Sequence, residues 1–208
     1  MIAILTSKNQ WFTNYAKILS SKIENSHIFF DHIKIDDTYN IVFILSYHKI
    51  IEDEYLLKHK HNIIIHASKL PKGKGWAPLF WQVLEGKNNI YFTMFEASNK
   101  VDDGDIYMIE RLKLNGYELN QDLRYKQANL IIDMCIKFLN DYEKYKIPFK
   151  QIGKSTFYKR RTPLDSELDI NDTISNQFNL LRIVDNSDYP AFFYKDGIKY
   201  KLKIERDS

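Results

Sequence analysis

The residues able to do chemistry in this chain lie in two short stretches and one basic run. The first stretch is His66-Ala-Ser-Lys-Leu-Pro-Lys-Gly-Lys-Gly-Trp-Ala-Pro78, directly after the apolar run Asn62-Ile-Ile-Ile65. A lone histidine ending a buried strand is more often structural than catalytic. The loop behind it changes the weighing, because Gly73 and Gly75 let the backbone approach a ligand or adopt positive φ. The second stretch is Asp102-Asp103-Gly104-Asp105. Three acids around a glycine suit a solvated turn, a hard-cation site, or a general acid/base carboxylate working with a histidine. The remaining oxygen ligands of an EF-hand loop are missing.

Two other groupings are weaker. Zinc needs three or four converging ligands, and His59 and His61 fall at the far end of the strand from His66, about 15 Å away at strand rise; no metal is expected. Tyr158-Lys159-Arg160-Arg161 reads as a solvated basic face or a phosphate contact. Neither it nor the Gly-Lys-Gly of the first stretch has P-loop spacing.

The elements that must position these residues follow from the apolar pattern. Residues 1–6, 27–30, 40–46 and 62–65 are short apolar runs of the buried-strand type. Between them, Trp11, Tyr15, Ile18 and Leu19 predict a helix over 9–23, and 51–60 is helix-competent. Such alternation predicts an α/β fold with a parallel sheet covered on both faces, with ligands beyond the carboxyl ends of the strands, where His66 falls. Residues 78–86 read as a helix with Pro78 near its start and Gly86 at its stop. Residues 90–97 and 105–114 read as strands, joined by the carboxylate-rich loop 98–104.

The longest helical pattern runs over 120–145, with Leu123, Leu130, Ile131, Met134, Cys135, Phe138 and Leu139 on one face; Pro148 ends it. Cys135 is a core residue on that stripe. The sequence divides into a catalytic-type domain, 1–148, and a small α+β C-terminal extension, 149–208. In the extension, 172–184 predicts a helix capped by Asp172 or Thr173, with Ile174, Phe178 and Leu181 inward. Residues 191–204 predict a hairpin turning at Asp196-Gly197. Its aromatic residues suit either a homodimer surface or the core of the extension.

Composition narrows the class. The chain has 208 residues, 44% hydrophobic and 14% aromatic, which argues against disorder. Its 30 basic and 27 acidic residues give a net charge of +3, without the concentrated basic field of a nucleic-acid binder. A single cysteine excludes an internal disulfide and a Cys-cluster zinc site. No apolar run approaches the ~20 residues of a membrane span, and residues 1–11 lack signal-peptide features. The expectation is a soluble cytoplasmic protein with neither nucleic acid nor membrane as partner.

Taken together, the two stretches and the helix Trp81-Gln-Val-Leu-Glu-Gly86 resemble the formyltransferases that use 10-formyltetrahydrofolate. That family's signature reads roughly N-x-H-x-S-x-L-P-x-x-x-G-x-x-P, then a tryptophan-containing helix ending in glycine, then D-x-G-x-I. His66, Ser68, Leu70, Pro71, Gly75, Pro78, Gly86, Asp102, Gly104 and Ile106 fall in register. The run Thr156-Phe-Tyr-Lys-Arg-Arg-Thr-Pro-Leu-Asp-Ser-Glu-Leu-Asp169 is similar to the segment after the catalytic domain in enzymes that formylate methionyl-tRNA or amino sugars. The resemblance covers about residues 40–204 and separates the family's members poorly.

The resemblance implies an Asn–His–Asp constellation on a Rossmann-like, mainly parallel sheet flanked by helices, with His66 as the histidine and Asp102 as the aspartate. Asp103 and Asp105 fill variable positions and inherit no catalytic role. The asparagine position is Ile64, a departure. Asn62, Ile64 and His66 share a face by strand alternation, but Asn62 lies about 7 Å further down the strand from Ile64. An oxyanion donor of this kind is typically worth ~3 kcal/mol, so a backbone N–H or another side chain must replace it, or the reaction is slow or lost. By the same resemblance the folate co-substrate meets Ser46, Tyr47, His48 and Ile51, together with Val101, Asp103 and Gly104. The acceptor meets Ser68, Lys69, Lys72, Gly75, Trp76 and Pro78.

A nucleotide-linked amino sugar is the expected acceptor, with its amine as nucleophile, as in surface polysaccharide synthesis. The chain lacks the roughly hundred-residue C-terminal barrel expected for an initiator-tRNA substrate, and its charge is nearly balanced. Glycinamide ribonucleotide and methionyl-tRNA are the alternative acceptors. The Ile64 departure keeps open a non-catalytic folate- or sugar-nucleotide-binding homologue.

Overall fold

The structure is a computed structural model and describes residues 1–207. In chain order the first elements are β1 (Ile2–Leu5), α1 (Thr13–Ser21), β2 (Ser26–Phe29), β3 (Ile41–Ile44), α2 (Asp53–Leu56) and β4 (His61–His66). Next come β5 (Lys74–Gly75), α3 (Pro78–Leu84), β6 (Asn89–Glu96), β7 (Ile106–Lys113), α4 (Asn120–Asn140) and α5 (Tyr142–Tyr145). The chain ends through β8 (Phe157–Tyr158), α6 (Phe178–Ile183), β9 (Ala191–Lys195) and β10 (Ile198–Leu202).

The main sheet has the order β2-β1-β3-β4-β6-β7. Strands β2, β1, β3 and β4 are parallel, as their continuous apolar runs predict. Strand β6 lies antiparallel to β4, and β7 lies antiparallel to β6 because the loop between those two is a hairpin-type return and not a crossover. Alternation along each strand divides the sheet into two faces. Ile4, Phe43 and Ile63 join Phe12, Leu19, Leu79, Val83, Ile131 and Phe138 in the large core under α1, α3 and α4. Ala3, Leu5, Val42 and Ile44 face a thinner layer built from Ile35, Tyr39, Tyr47, Ile51 and Leu56. Ile64, two residues before His66 on β4, packs into that thinner layer.

Several predicted elements are shorter than their patterns. The 9–23 helix begins at Thr13, and Ile18 is 45% exposed because Phe12, Ala16 and Leu19 form the buried stripe instead. The 51–60 segment makes one turn, α2. The 172–184 helix is reduced to α6, because Thr173 Oγ1 and Asp172 Oδ1 serve a run of turns at 172–177; Ile174 is 58% exposed as a result. The hairpin turns at Asp196-Gly197 with φ of 51° and 80°, the left-handed pair a two-residue turn requires. Its inner residues Ala191 and Phe193 pack with Leu168, Leu181 and Val184 in a small core of the extension, while Tyr194 and Tyr200 remain 45% and 44% exposed.

The extension is not separate at its start. Phe149 exchanges two backbone hydrogen bonds with Ile106 (2.7 and 2.9 Å), and β8 pairs in parallel with β5. Among the described residues no helix is long and apolar enough to cross a membrane.

Candidate active site

His66 ends β4 and is 9% exposed. Its Nε2 lies 2.8 Å from the Gly73 carbonyl oxygen. A carbonyl only accepts, so this nitrogen carries the hydrogen and the ring orientation is set from the loop. Asp102 Oδ2 stands 3.7 Å from the same nitrogen and accepts the Gly75 N–H at 2.8 Å. One three-residue span, 73–75, thus fixes both groups: the carbonyl at its start holds the histidine and the amide at its end holds the aspartate.

The span is itself clamped. Gly73 N–H donates to Thr156 Oγ1 (2.9 Å), Lys74 N–H to Thr156 O (2.9 Å) and Trp76 N–H to Tyr158 O (3.2 Å). Gly75 has φ +95°, and a Cβ there would sit 2.5 Å from the Tyr158 carbonyl oxygen, so only glycine admits β8 this closely. Tyr158 stacks on Trp81 of α3 at 6.1 Å, and the Trp81 indole N–H donates to Lys159 O at 2.9 Å. The Trp–Gly helix therefore braces the loop from behind.

The 98–104 loop is anchored as tightly. Asp102 adopts φ +50°, a left-handed conformation that aspartate tolerates. Asp103 pairs with Lys74, which is 3% exposed; the hydrogen bond from Lys74 lowers the Asp103 pKa below the usual carboxylate value. Gly104 lies against the Glu96 carbonyl, where a Cβ would approach to 1.6 Å. Gln151 Nε2 donates to the carbonyls of Asp102 (2.9 Å) and Gly104 (2.8 Å). Sequence reasoning missed Lys74, Gln151 and Thr156. Their roles come from long-range pairing that no local pattern announces.

The other expected site residues divide. Ser68 is 2% exposed and its Oγ is buried without a hydrogen-bond partner beside Gly73. Trp76 is exposed, with the His48 ring at 6.2 Å and the Arg160 guanidinium at 5.0 Å. Desolvation and the nearby Arg160 charge lower the His48 pKa. Pro78 is buried at the start of α3. Ser46 has φ +54° and accepts the Ser7 N–H at 3.3 Å, and the His48 N–H reaches Ser7 Oγ at 3.1 Å. The Tyr47 hydroxyl lies 2.8 Å from His32 Nδ1, Ile51 packs in the thinner layer, and Val101 is 65% exposed. Lys69 and Lys72 are not drawn to the His66–Asp102 pair: they line a separate hollow with Ile152 and Lys154, and Lys69 Nζ lies 4.9 Å over Tyr91.

Ile64 lies between the thinner layer and a cluster of Leu70, Phe95 and Ile106, and it offers no donor. Asn62 does not replace it. Its Nδ2 is spent on Leu56 O (2.8 Å) and Glu96 Oε1 (3.4 Å). His59 Nδ1 lies 2.8 Å from the Tyr39 carbonyl oxygen, and His61 is wedged between the Tyr107 and Tyr142 hydroxyls at 2.9 and 2.8 Å. Among the described residues no three His, Cys, Asp or Glu side chains converge as metal ligands. Cys135 is fully buried, and burial raises its thiol pKa well above the ordinary value.

Residues 32–130 match the family model described as formyl transferase. The methionyl-tRNA formyltransferase of Lachnospira eligens is 28% identical over 79% of this chain and 54% of its own length. This chain spans about half the length of the curated methionyl-tRNA formyltransferases it matches. Among solved structures, the methionyl-tRNA formyltransferase from Clostridium thermocellum superposes with a TM-score of 0.83 at 20% identity, over 100% of this chain and 94% of that one. A sugar N-formyltransferase from Shewanella sp gives 0.73 at 16% identity, over 100% and 98%. The His66 loop and the Asp102 loop both lie inside the matched segment, so it is around this pair that the chain is similar to the formyl transferase family.

Proposed function

We propose that this protein moves a formyl group from 10-formyltetrahydrofolate to the amine of a nucleotide-linked amino sugar. The observation that carries the reading is the fixed relation of His66 to Asp102 through Gly73 and Gly75. A carboxylate beside an imidazole N–H is the minimum that this chemistry needs. The neutral amine attacks the formyl carbon and forms the new N–C bond, and Asp102 accepts the proton released from that nitrogen. The His66 N–H, held by the Gly73 carbonyl before the donor binds, turns to the formyl oxygen as negative charge develops there. Collapse of the tetrahedral centre breaks the bond to folate N10, which leaves with a proton.

The residues around the pair suit a flat pterin. Ile51, Tyr47 and Ile64 form an apolar wall, and the exposed Val101 and the Ser46–Ile51 backbone edge it. A net charge of +3 supports a small acceptor over a polyanionic one, while the fold is shared alike with a sugar N-formyltransferase and a methionyl-tRNA formyltransferase. Residues 1–148 form the catalytic unit in this reading. The start of the extension, 149–158, contributes Gln151 and Thr156 to the loops that hold it.

One specific observation favours a second reading. Ile64 carries no donor, and Asn62 is committed elsewhere. A homologue that binds folate or a sugar nucleotide without turning it over would tolerate this. Incubation with 10-formyltetrahydrofolate and a panel of amine-bearing sugar nucleotides, glycinamide ribonucleotide and methionyl-tRNA separates the two. An N-formylated sugar nucleotide in the mass spectrum supports transfer. No formylated product, with tetrahydrofolate still raising the melting temperature, leaves only the binding reading.

A further inference from the structure

Ser68 lies two residues after His66 and is 2% exposed, and its Oγ has no hydrogen-bond partner among the described residues. A buried hydroxyl left unpaired costs stability in the resting protein. The oxygen is closed to solvent, so a contact with an acceptor does not account for it.

Everything about this residue is fixed except the rotation of its side chain. The Ser68 N–H donates to the His66 carbonyl at 2.9 Å, and Thr93 Oγ1 donates to the Ser68 carbonyl at 2.7 Å. Thr93 Oγ1 in turn accepts the Leu70 N–H at 3.3 Å. The side chain faces Gly73: a Cβ built on that glycine would stand 3.0 Å from Ser68 Cβ and 3.4 Å from Oγ. Gly73 offers one acceptor, its carbonyl oxygen, and in the resting protein His66 Nε2–H occupies it at 2.8 Å.

That carbonyl cannot follow the histidine. The Gly73 carbonyl and the Lys74 N–H belong to one planar peptide unit. The Lys74 N–H is tied to Thr156 O at 2.9 Å, and the Gly73 N–H to Thr156 Oγ1 at 2.9 Å. When His66 turns to the formyl oxygen, the carbonyl stays in place and loses its donor. A buried carbonyl left without a donor raises the barrier unless another group fills in. Because Ile64 brings no donor, stabilisation of the oxyanion depends the more on this one N–H.

We infer that Ser68 is a positioning residue whose hydroxyl takes over the Gly73 carbonyl as His66 leaves it for the formyl oxygen. Ser68 thereby serves the oxyanion through His66, without touching it. The hydroxyl that is unpaired at rest becomes paired in the transition state, so its gain falls on kcat and not on binding. This inference rests on the reading of His66 and Asp102 as the formyl-transfer pair.

Two measurements test it. The first, made without acceptor, is the infrared stretch of an isotope-labelled formyl group in bound 10-formyltetrahydrofolate, which drops as the oxygen accepts a hydrogen bond. The parent is expected to lower it, His66→Ala to abolish the shift, and Ser68→Ala to lose most of it. The second is steady-state formylation. Ser68→Ala is expected to lower kcat about 10-fold, with KM for donor and acceptor unchanged. Its melting temperature should stay level or rise, because the hydroxyl has no partner at rest. Ser68→Cys, a weaker donor of similar shape, is expected to fall between serine and alanine in kcat. The inference is overturned if the parent shows no infrared shift, or if Ser68→Ala keeps the whole of it. It is also overturned if Ser68→Ala raises the acceptor KM with kcat unchanged, which marks a direct acceptor contact. A Ser68→Cys variant as fast as the parent beside a slow Ser68→Ala would mark mere space filling and overturn it too. A Ser68-dependent infrared shift with no formylated product would remove the transfer reading and leave the relay standing. Formylation by the parent, with a shift that Ser68→Ala leaves whole, would remove the relay alone.

Discussion

Asp102 Oδ2 accepts the Gly75 N–H at 2.8 Å while standing 3.7 Å from His66 Nε2, so the aspartate is oriented by backbone and left uncommitted towards the histidine. Asparagine in its place keeps an oxygen for the Gly75 amide but cannot accept a proton. Asp102→Asn is therefore expected to lower kcat by about 10²–10⁴. Its melting temperature should stay within a few degrees of the parent. Steady-state kinetics and a thermal melt on one preparation check both halves; turnover left intact would remove Asp102 from the mechanism.

Lys74 and Asp103 join the loop that holds His66 to the loop that bears Asp102, the two groups proposed to react. Lys74 is 3% exposed, so a neutral side chain of similar length is the informative change. Lys74→Met should lower kcat about 10-fold by loosening the Asp102 loop, with the pH profile keeping its shape. A variant with full kcat would show that the Gln151 and Gly75 contacts hold the loop unaided.

The sequence made the strands, the Pro78-to-Gly86 helix and the long helix of Leu123 to Phe138 readable because each announces itself by local periodicity. His66 and Asp102 were readable only as a spaced pair, through the family signature. Lys74, Gln151 and Thr156 were not, because their partners lie 29, 49 and 83 residues away. The antiparallel run of β6 was hidden for a related reason: an apolar strand looks the same in either direction. That Lys69 and Lys72 would line a hollow with Ile152 and Lys154 was not readable either, because a loop rich in lysine gives no sign of which side chains turn inward.

Gly104 tests the same loop from the packing side. A Cβ there would meet the Glu96 carbonyl oxygen at 1.6 Å, and backbone cannot step aside as a side chain would. Gly104→Ala should destabilise the protein by about 3 kcal/mol, the upper part of the overpacking range. Chemical denaturation gives the number directly. A loss below 1 kcal/mol would mean the loop moves freely off β6.

Glu118 supplies an acid-sensitive contact far from the site. It is 1% exposed; burial works to raise its pKa, but Lys126 at 2.6 Å and the Asn115 and Gly116 amides outweigh that and hold it at about 2. Because the folded value is depressed below the ordinary 4.5, the contribution is present above pH 4.5 and is lost as pH falls towards 2. That difference corresponds to about 3 kcal/mol. The melting temperature should fall steeply between pH 5 and pH 2, and Glu118→Gln should flatten that part of the curve. An unaltered slope would assign the acid sensitivity elsewhere.

Ile64 is the residue where family pattern and chain disagree, and it can be tested in the direction of the pattern. The side chain fills the seam between Leu70, Phe95 and Ile106 on one side and Tyr47 and Ile51 on the other. Asparagine there gives up that contact and buries an amide, at a cost of about 1–3 kcal/mol. If a backbone amide or the unpartnered Ser68 hydroxyl already serves the oxyanion, Ile64→Asn gains nothing in the transition state, and kcat should stay level or fall. A rise approaching 10²–10³, the usual worth of one oxyanion donor, would show the opposite: that the site lacks this donor and runs below the capacity of its histidine and aspartate. Measuring kcat beside the melting temperature separates the two, since lost packing lowers both and a regained donor raises only the first.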